Sequence, residues 1–130
     1  MRSLFQLLAR ILVTPVFLWA GIHKILDPTR SMQSMAQHGM RWTGFFLAGA
    51  IVIETIVILA LLFGFMTRWS AFFLALYLIP LTIIFHLHLS DPAQLNNFLK
   101  NLGLVGGLLM IAACGGGRIA LDAFMKKKKP

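Results

Sequence analysis

The chain has 130 residues, of which 58% are hydrophobic and only 12% are charged. A typical soluble domain is about a quarter charged and under half apolar, so this composition excludes a soluble globular protein and a disordered chain. The net charge is +8, but four of these charges lie in the run 126–129. The other bases are scattered along apolar sequence, which argues against nucleic acid as a partner. The single cysteine excludes an internal disulfide.

Four apolar segments are candidates for crossing a bilayer, whose hydrocarbon of about 30 Å requires about 20 helical residues. Segments 4–25, 44–66 and 69–89 exceed that length. The weaker segment 98–115 crosses if Lys100 extends its ammonium to the membrane surface, the alternative being a half-inserted helix or a core helix. The sequence therefore predicts an all-α polytopic membrane protein. Residues 1–125 form a four-helix transmembrane bundle in contact with the lipid bilayer, and residues 126–130 form a basic tail.

An even number of spans places both termini on one side of the membrane. Eight of the twelve Lys and Arg residues fall on that side or in the short second loop, and four fall on the other. The positive-inside rule then predicts cytoplasmic termini, with the basic tail on anionic lipid. The short second loop makes the second and third helices antiparallel neighbours. The other two loops, 26–43 and 90–97, each contain an Asp-Pro pair, which is a stop-and-turn signal.

Glu54 lies near the middle of the second segment, where a charged group is costly and is expected to face the bundle and be paired or protonated. Arg10 approaches its depth from one side and Lys100 from the other. We predict Arg10 as the partner, because its guanidinium fork suits a buried carboxylate. Two roles for Glu54 stay open at this point: a site that handles protons or a quinol, and a structural ion pair that fixes helix register.

Helical spacing also groups other polar and small residues on single faces. One face of the first segment carries Arg10, Thr14, Phe17, Gly21 and Lys24. Gly21 on this face allows a neighbouring helix to approach closely. One face of the fourth segment carries Lys100, Gly103, Gly107 and Cys114. The GxxxG spacing on this second face predicts that Lys100 and Cys114 point into the bundle, although the same face would also suit a second copy in a homo-oligomer.

The histidines near the ends of the helices suggest a ligand site. His86 is a candidate donor to a quinone carbonyl, the alternative being a histidine paired with the backbone or a loop carboxylate. His23 lies at a similar depth, but two histidines at matched depth are too weak a signal to predict haem. His88 faces away from His86, so the pair is a poor chelate. The sequence has no phosphate-binding loop, metal-ligand cluster or nucleophile–base spacing.

The order and spacing of these residues resemble the DoxX family of small bacterial inner-membrane proteins. The resemblance covers nearly the whole chain and is most specific over 98–109, where Phe-x-Lys-Asn-Leu leads to Gly-Gly-Leu-Leu. It is carried by Arg10, 21–28, Glu54, 64–68, 84–86, 98–109, 117–118 and 121–122. It implies a four-helix membrane bundle. The residues that match the family's polar positions are Arg10, Lys24, Glu54, His86, Lys100 and Asn101.

Some members of the family are described as the small membrane subunit of a thiosulfate:quinone oxidoreductase, or as partners in thiol and oxidative-stress complexes. The resemblance therefore implies a quinone- or thiol-linked redox subunit that acts with a soluble partner. Glu54 would handle protons and His86 would hold a quinone carbonyl. The head group would be bound with the help of Arg10, Lys24, His86, Lys100 and Asn101. The competing hypothesis is a non-enzymatic scaffold, or a carrier for a small amphipathic or anionic solute, so whether the chain is an enzyme stays open.

Overall fold

The structure is a computed structural model that describes residues 1–86 and 89–128. These residues form six helices and no strand. Four helices are long and apolar enough to cross a membrane: α1 (Arg2–Leu26), α3 (Thr43–Phe63), α4 (Thr67–Phe85) and α5 (Pro92–Cys114). Two shorter helices are α2 (Pro28–Gln37) and α6 (Leu121–Lys127). The predicted all-α fold with four transmembrane helices is confirmed, and the cytoplasmic location of the termini stays a prediction.

Both Asp-Pro pairs begin a helix, and Asp27 also ends α1. The Asp27 carboxylate accepts a backbone hydrogen bond from the first turn of α2 at 3.2 Å, and Asp91 does the same for α5 at 3.0 Å. Each following proline occupies the first turn of its helix. A backbone N–H at that position would have no helical carbonyl to bond, so the helix loses nothing by the proline's lack of one. The loops are therefore shorter than predicted, because α2 fills most of the first and α5 begins at Pro92 rather than at residue 98.

A short turn joins α3 to α4, and the two helices are neighbours as predicted. The turn begins at Gly64, which has a φ of 77° and ends α3 three residues before the predicted boundary at residue 66. A Cβ at Gly64 would lie 2.4 Å from the Cβ of Ala120. Both the left-handed backbone and the lack of space therefore require glycine here. At its other end α4 stops at Phe85, whereas the predicted third segment continues to residue 89.

The most extensive packing joins α1 to α3 and α4 to α5. The apolar core between these pairs contains Phe17, Ile58, Leu61, Leu74, Leu78 and Leu108. At one end of the bundle α1 begins beside the end of α5, where the Gln6 side-chain amide donates to the Cys114 carbonyl oxygen at 3.0 Å. We call this end the terminal face and the other end the opposite face.

The predicted inward face of the fourth helix is wrong. Lys100, Gly103 and Gly107 are exposed, and Cys114 is only partly buried. The side chains that α5 buries are instead Leu108 and Ile111. Small residues at this part of the core come from α4, whose Ala71 and Ala75 are almost completely buried. Bulky aliphatic side chains of α5 pack against that surface, so its glycines face outward.

Candidate functional site

Glu54 is the centre of a buried polar cluster between three transmembrane helices. Its carboxylate accepts from Lys24 Nζ of α1 at 2.8 and 3.1 Å and from the Tyr77 hydroxyl of α4 at 2.8 Å. Only 2% of Glu54 is exposed. The expectation that a cation from a neighbouring helix pairs with this acid is confirmed. We call Lys24, Glu54 and Tyr77 the buried triad.

The backbone of α3 departs from α-helical geometry at this position. Residues Ile53–Val57 form a π-helical turn, a feature that occurs frequently at functional sites. Gly21 of α1 packs directly on this turn, since an added Cβ would lie 2.9 Å from Thr55 Cγ2 and 3.1 Å from Glu54 Cβ. The predicted close approach at Gly21 thus brings α1 against the acid, and it places Lys24, one turn later, within reach of the carboxylate.

The predicted pairing of Arg10 with Glu54 is wrong. Arg10 is buried on the predicted face of α1, but its guanidinium donates to the carbonyl oxygen of Leu62 at 2.7 Å and to that of Ile119. Both carbonyls lie towards the terminal face. Arg10 precedes Gly21 by about 16 Å along the axis of α1, so it is too far along the helix to reach the acid. Its Nε has no hydrogen-bond partner among the described residues.

The terminal face is closed by the segment that follows α5. Asp122 accepts from the backbone N–H groups of Met66 and Thr67 at 2.7 and 2.8 Å, and from the Thr67 hydroxyl at 2.8 Å. It thereby satisfies N–H groups at the start of α4 that no helical carbonyl reaches. Burial alone raises the pKa of the Asp122 carboxyl. The hydrogen bonds from Thr67 and Met66 and the charge of Lys126 together outweigh burial and hold that pKa below its ordinary value.

Replacing Asp122 by Asn is expected to lower the free energy of unfolding by about 1 to 2 kcal/mol near neutral pH, since it weakens a charged helix cap. A carboxyl with a depressed folded-state pKa stabilises the fold above its unfolded-state pKa and loses this contribution as the pH falls through the folded-state value. The wild type should therefore lose stability below about pH 4, and the variant should lose less. Thermal unfolding in detergent across this range measures both. Parallel pH profiles for the two proteins would contradict the assignment.

Two hydrogen bonds organise the polar residues near the opposite face. His86 Nδ1 lies 2.8 Å from Gln94 Oε1. An amide oxygen can only accept, so this orientation of the Gln94 amide assigns the proton to Nδ1. In the neutral imidazole, Nε2 is then an acceptor. Asn101 Nδ2 donates to the Thr82 hydroxyl at 3.0 Å, which leaves the Asn101 carbonyl oxygen as an acceptor.

A cavity of about 580 Å³ opens at the opposite face, between α1, α2 and the end of α4. We call it the vestibule. Its charged residues are Lys24, Asp27 and Arg30, and His86 lines it on the side of α4. Helix α2 forms one wall, and its Met35 is 4% exposed. Lys24 thus connects the vestibule to the buried Glu54.

A second cavity, of about 610 Å³, opens between α1 and α5. We call it the lateral cavity. Its polar end contains His86, Asn97, Lys100 and Asn101, and its apolar end contains Val13, Val16, Gly103, Leu104 and Gly107. Val16 is 50% exposed on a helix that spans the membrane, so this cavity opens towards lipid. The vestibule and the lateral cavity both include His86.

The six predicted site residues lie in three separate parts of the structure. Lys24 and Glu54 belong to the buried triad. His86, Lys100 and Asn101 line the lateral cavity, and Arg10 lies apart towards the terminal face. His88 lies outside the described residues. The described part of the chain contains no group of three or more His, Cys, Asp or Glu side chains that could hold a metal ion.

Sequence reasoning missed Tyr77 and Gln94. Tyr77 carried a signal, because it is the only tyrosine in the chain and lies in the middle of a predicted span rather than at an interface, where membrane tyrosines concentrate. A tyrosine at that depth needs a partner for its hydroxyl. Gln94 carried no comparable signal, since it falls in what the sequence predicts to be a loop.

The fold and this site define a small polytopic membrane protein with a buried ion pair and a lipid-facing polar cavity. The DoxX family model matches residues 5–87, and the chain belongs to the DoxX family. It is similar to two Escherichia coli (strain K12) proteins. Inner membrane protein YqjF is 36% identical over 122 residues, which cover 94% of this chain and 92% of that protein. Inner membrane protein YphA is 30% identical over 127 residues, which cover 93% of this chain and 90% of that protein.

No solved structure matches the chain. The resemblance to the DoxX family that the sequence suggested is confirmed, and the chain is a DoxX-family inner membrane protein. Neither relative carries a name that states a reaction.

Proposed function

We propose that the chain is the membrane subunit of a quinone-linked redox system and acts with a soluble partner protein. The observation that carries this proposal is that His86 lines both cavities. One cavity opens towards lipid, where a quinone resides, and the other opens at the opposite face, where a soluble partner has access. A subunit that connects a lipid-soluble carrier with a soluble protein requires this arrangement.

The polar end of the lateral cavity fits a quinone head group. His86, Asn101 and Lys100 supply hydrogen-bonding groups beside an apolar wall, which is the usual composition of a small-molecule site. A volume of about 610 Å³ lies within the range of about 300 to 1,000 Å³ typical of such sites. A bound quinone supplies the capacity to take up two electrons and two protons, and the soluble partner is the source or acceptor of the electrons.

The protein's own part is to place and exchange protons. With Nδ1–H held by Gln94, His86 exchanges its proton at Nε2, donating to a carbonyl oxygen as imidazolium and accepting from a hydroxyl as neutral imidazole. Lys24 reaches from the vestibule to Glu54, and Tyr77 extends this network into the bundle. Inside the bundle, we assign proton exchange to the carboxylate of Glu54. The π-helical turn in which Glu54 lies supports this role, because such turns occur frequently at functional sites.

Quinone extraction tests this proposal. Protein purified from membranes in mild detergent should contain bound quinone, and replacing His86 by Leu should lower the bound fraction by at least about tenfold, or about 1.4 kcal/mol. Arg118→Gln is the matched control, because Arg118 is exposed on the terminal face and lines neither cavity. Liquid chromatography of the extract measures the quinone, and circular dichroism verifies the fold of each variant. Quinone-free wild type, or equal quinone in both variants, would refute the proposal.

A carrier for a small anionic solute is the second candidate, and the position of Arg30 in the vestibule favours it. Arg30 and Asp27 line this cavity, whereas Lys24, which also lines it, is already paired with Glu54. In that case Glu54 would only hold Lys24 in place. Quinone-free protein that retains a radiolabelled anion in the vestibule, and loses it in Arg30→Gln, would support the carrier over the redox subunit.

A further inference from the structure

The lateral cavity does not end at the middle of the membrane. A cavity of about 480 Å³ lies between the same two helices nearer the terminal face. Gly107 lines this cavity and the lateral cavity alike. The two cavities therefore adjoin at Gly107 along α1 and α5, and together we call them the seam groove.

The seam groove is apolar along most of its length and has polar residues at both ends. His86, Lys100 and Asn101 lie at one end, and Arg2 and Gln6 lie at the end nearer the terminal face. The walls between these ends are formed largely by apolar side chains and glycine. A Cβ at Gly103 or Gly107 would meet no atom within 4 Å, so these glycines leave room that a side chain would fill. From Lys100 to Cys114 the groove follows α5 for about 21 Å, which is most of the roughly 30 Å of hydrocarbon.

We infer that the seam groove binds the isoprenoid tail of the quinone whose head group lies at His86. This inference rests on the proposed function and extends it to the class of substrate, a long-chain quinone rather than a water-soluble one. The wall that the two cavities share at Gly107 favours this occupant, because a tail leaving the head-group cavity there passes into the half of the groove nearer the terminal face. At the end that holds the head group, Lys100 is the one cation among neutral hydrogen-bonding groups, and this suits carbonyl oxygens better than the charged phosphodiester of a phospholipid. Arg2 lies at the other end of the groove.

The test compares two ubiquinones with the same head group, one with a single isoprene unit and one with a full-length tail. Their affinities for the wild type are measured in detergent micelles at equal mole fraction. The long-tailed form should bind at least about tenfold more tightly, because its tail makes van der Waals contacts along the groove that a single isoprene unit cannot reach. Gly107→Leu fills the groove where its halves join. It should lower the affinity of the long-tailed form more than that of the short-tailed form and so remove this advantage.

Gly106→Leu is the matched control, because Gly106 is exposed on the same helix, lines neither half of the groove and is equally free of neighbours. It should keep the advantage of the long tail. Equal wild-type affinities for the two ubiquinones would overturn the inference while leaving the proposed function intact, and no variant is needed for that result. Absence of binding by either would overturn both. Displacement of the long-tailed form by dioleoylphosphatidylglycerol, with no displacement of the short-tailed form, would identify phospholipid as the occupant and overturn the inference.

Discussion

Replacing Lys24 by Met is expected to lower the free energy of unfolding by about 3 to 5 kcal/mol, the usual loss when one partner of a buried ion pair is removed. The ammonium contributes two of the three hydrogen bonds that Glu54 receives. Without it, a carboxylate that is 2% exposed keeps the Tyr77 hydroxyl as its one hydrogen-bond donor among the residues that the structure describes. Chemical unfolding in detergent, followed by circular dichroism, measures the loss.

A double variant separates the lost charge from lost packing. Glu54→Gln removes the unpaired charge while its amide oxygen still accepts from Tyr77, so adding it to Lys24→Met should recover a large part of the stability. Lys100→Met is the matched control, because Lys100 is exposed and makes no ion pair among the described residues; its effect should stay within about 0.5 kcal/mol. Equal losses for Lys24→Met and Lys100→Met would show that the pair contributes nothing to stability.

The sequence contained enough information to predict the buried face of α1. Four of its five predicted members, Arg10, Thr14, Phe17 and Gly21, are buried. The fifth, Lys24, belongs to the buried triad through its ion pair with Glu54. Helical periodicity succeeds here because a polar side chain inside a membrane is expensive anywhere except against other helices. The burial of Glu54 was predictable for the same reason.

The partner of Glu54 was not predictable from depth alone. Counting residues from the membrane surface assumes that the helices end at the same level, but Gly21 of α1 lies against Glu54, which sets the relative position of the two helices. Lys24 is one of the four basic residues that the positive-inside count places on the side opposite the termini. A long aliphatic stem allows its ammonium to lie well away from its own Cα, so one residue can be near the surface and still pair with a buried acid.

The outward face of α5 and the walls of the vestibule depend on contacts that sequence spacing does not encode. GxxxG spacing indicates a helix surface that another helix can approach closely, but it does not determine whether a neighbouring helix packs against that surface. Here the almost completely buried Ala71 and Ala75 of α4 provide a surface for the bulky side chains of α5. Likewise, the Asp-Pro pair at Asp27 indicated the end of α1, whereas the helix that follows it was predicted as loop. The vestibule depends on that helix.

Replacing Arg10 by Leu is expected to lower the free energy of unfolding by about 3 kcal/mol or more, since a hydrogen bond to a charged group contributes about 1.5 to 3 kcal/mol and Arg10 makes two. The guanidinium is 1% exposed. Its two acceptors are the Leu62 carbonyl near the end of α3, which no later helical N–H satisfies, and the Ile119 carbonyl in the segment that closes the terminal face. Removing Arg10 leaves both carbonyls without this donor and opens a cavity.

Combination with Glu54→Gln distinguishes this role from the ion pair that sequence spacing suggested. Arg10 contacts neither Glu54 nor Lys24, so the losses from Arg10→Leu and Glu54→Gln should add to within about 0.5 kcal/mol, as for separate sites. Arg10→Lys should also be destabilising, because one ammonium cannot reproduce the planar fork that reaches two carbonyls in different segments. Unfolding titrations of the two single variants and the double variant measure the coupling. Recovery of stability in the double variant would instead mean that Arg10 shelters the buried acid, and the packing of α1 against α3 described above would be wrong.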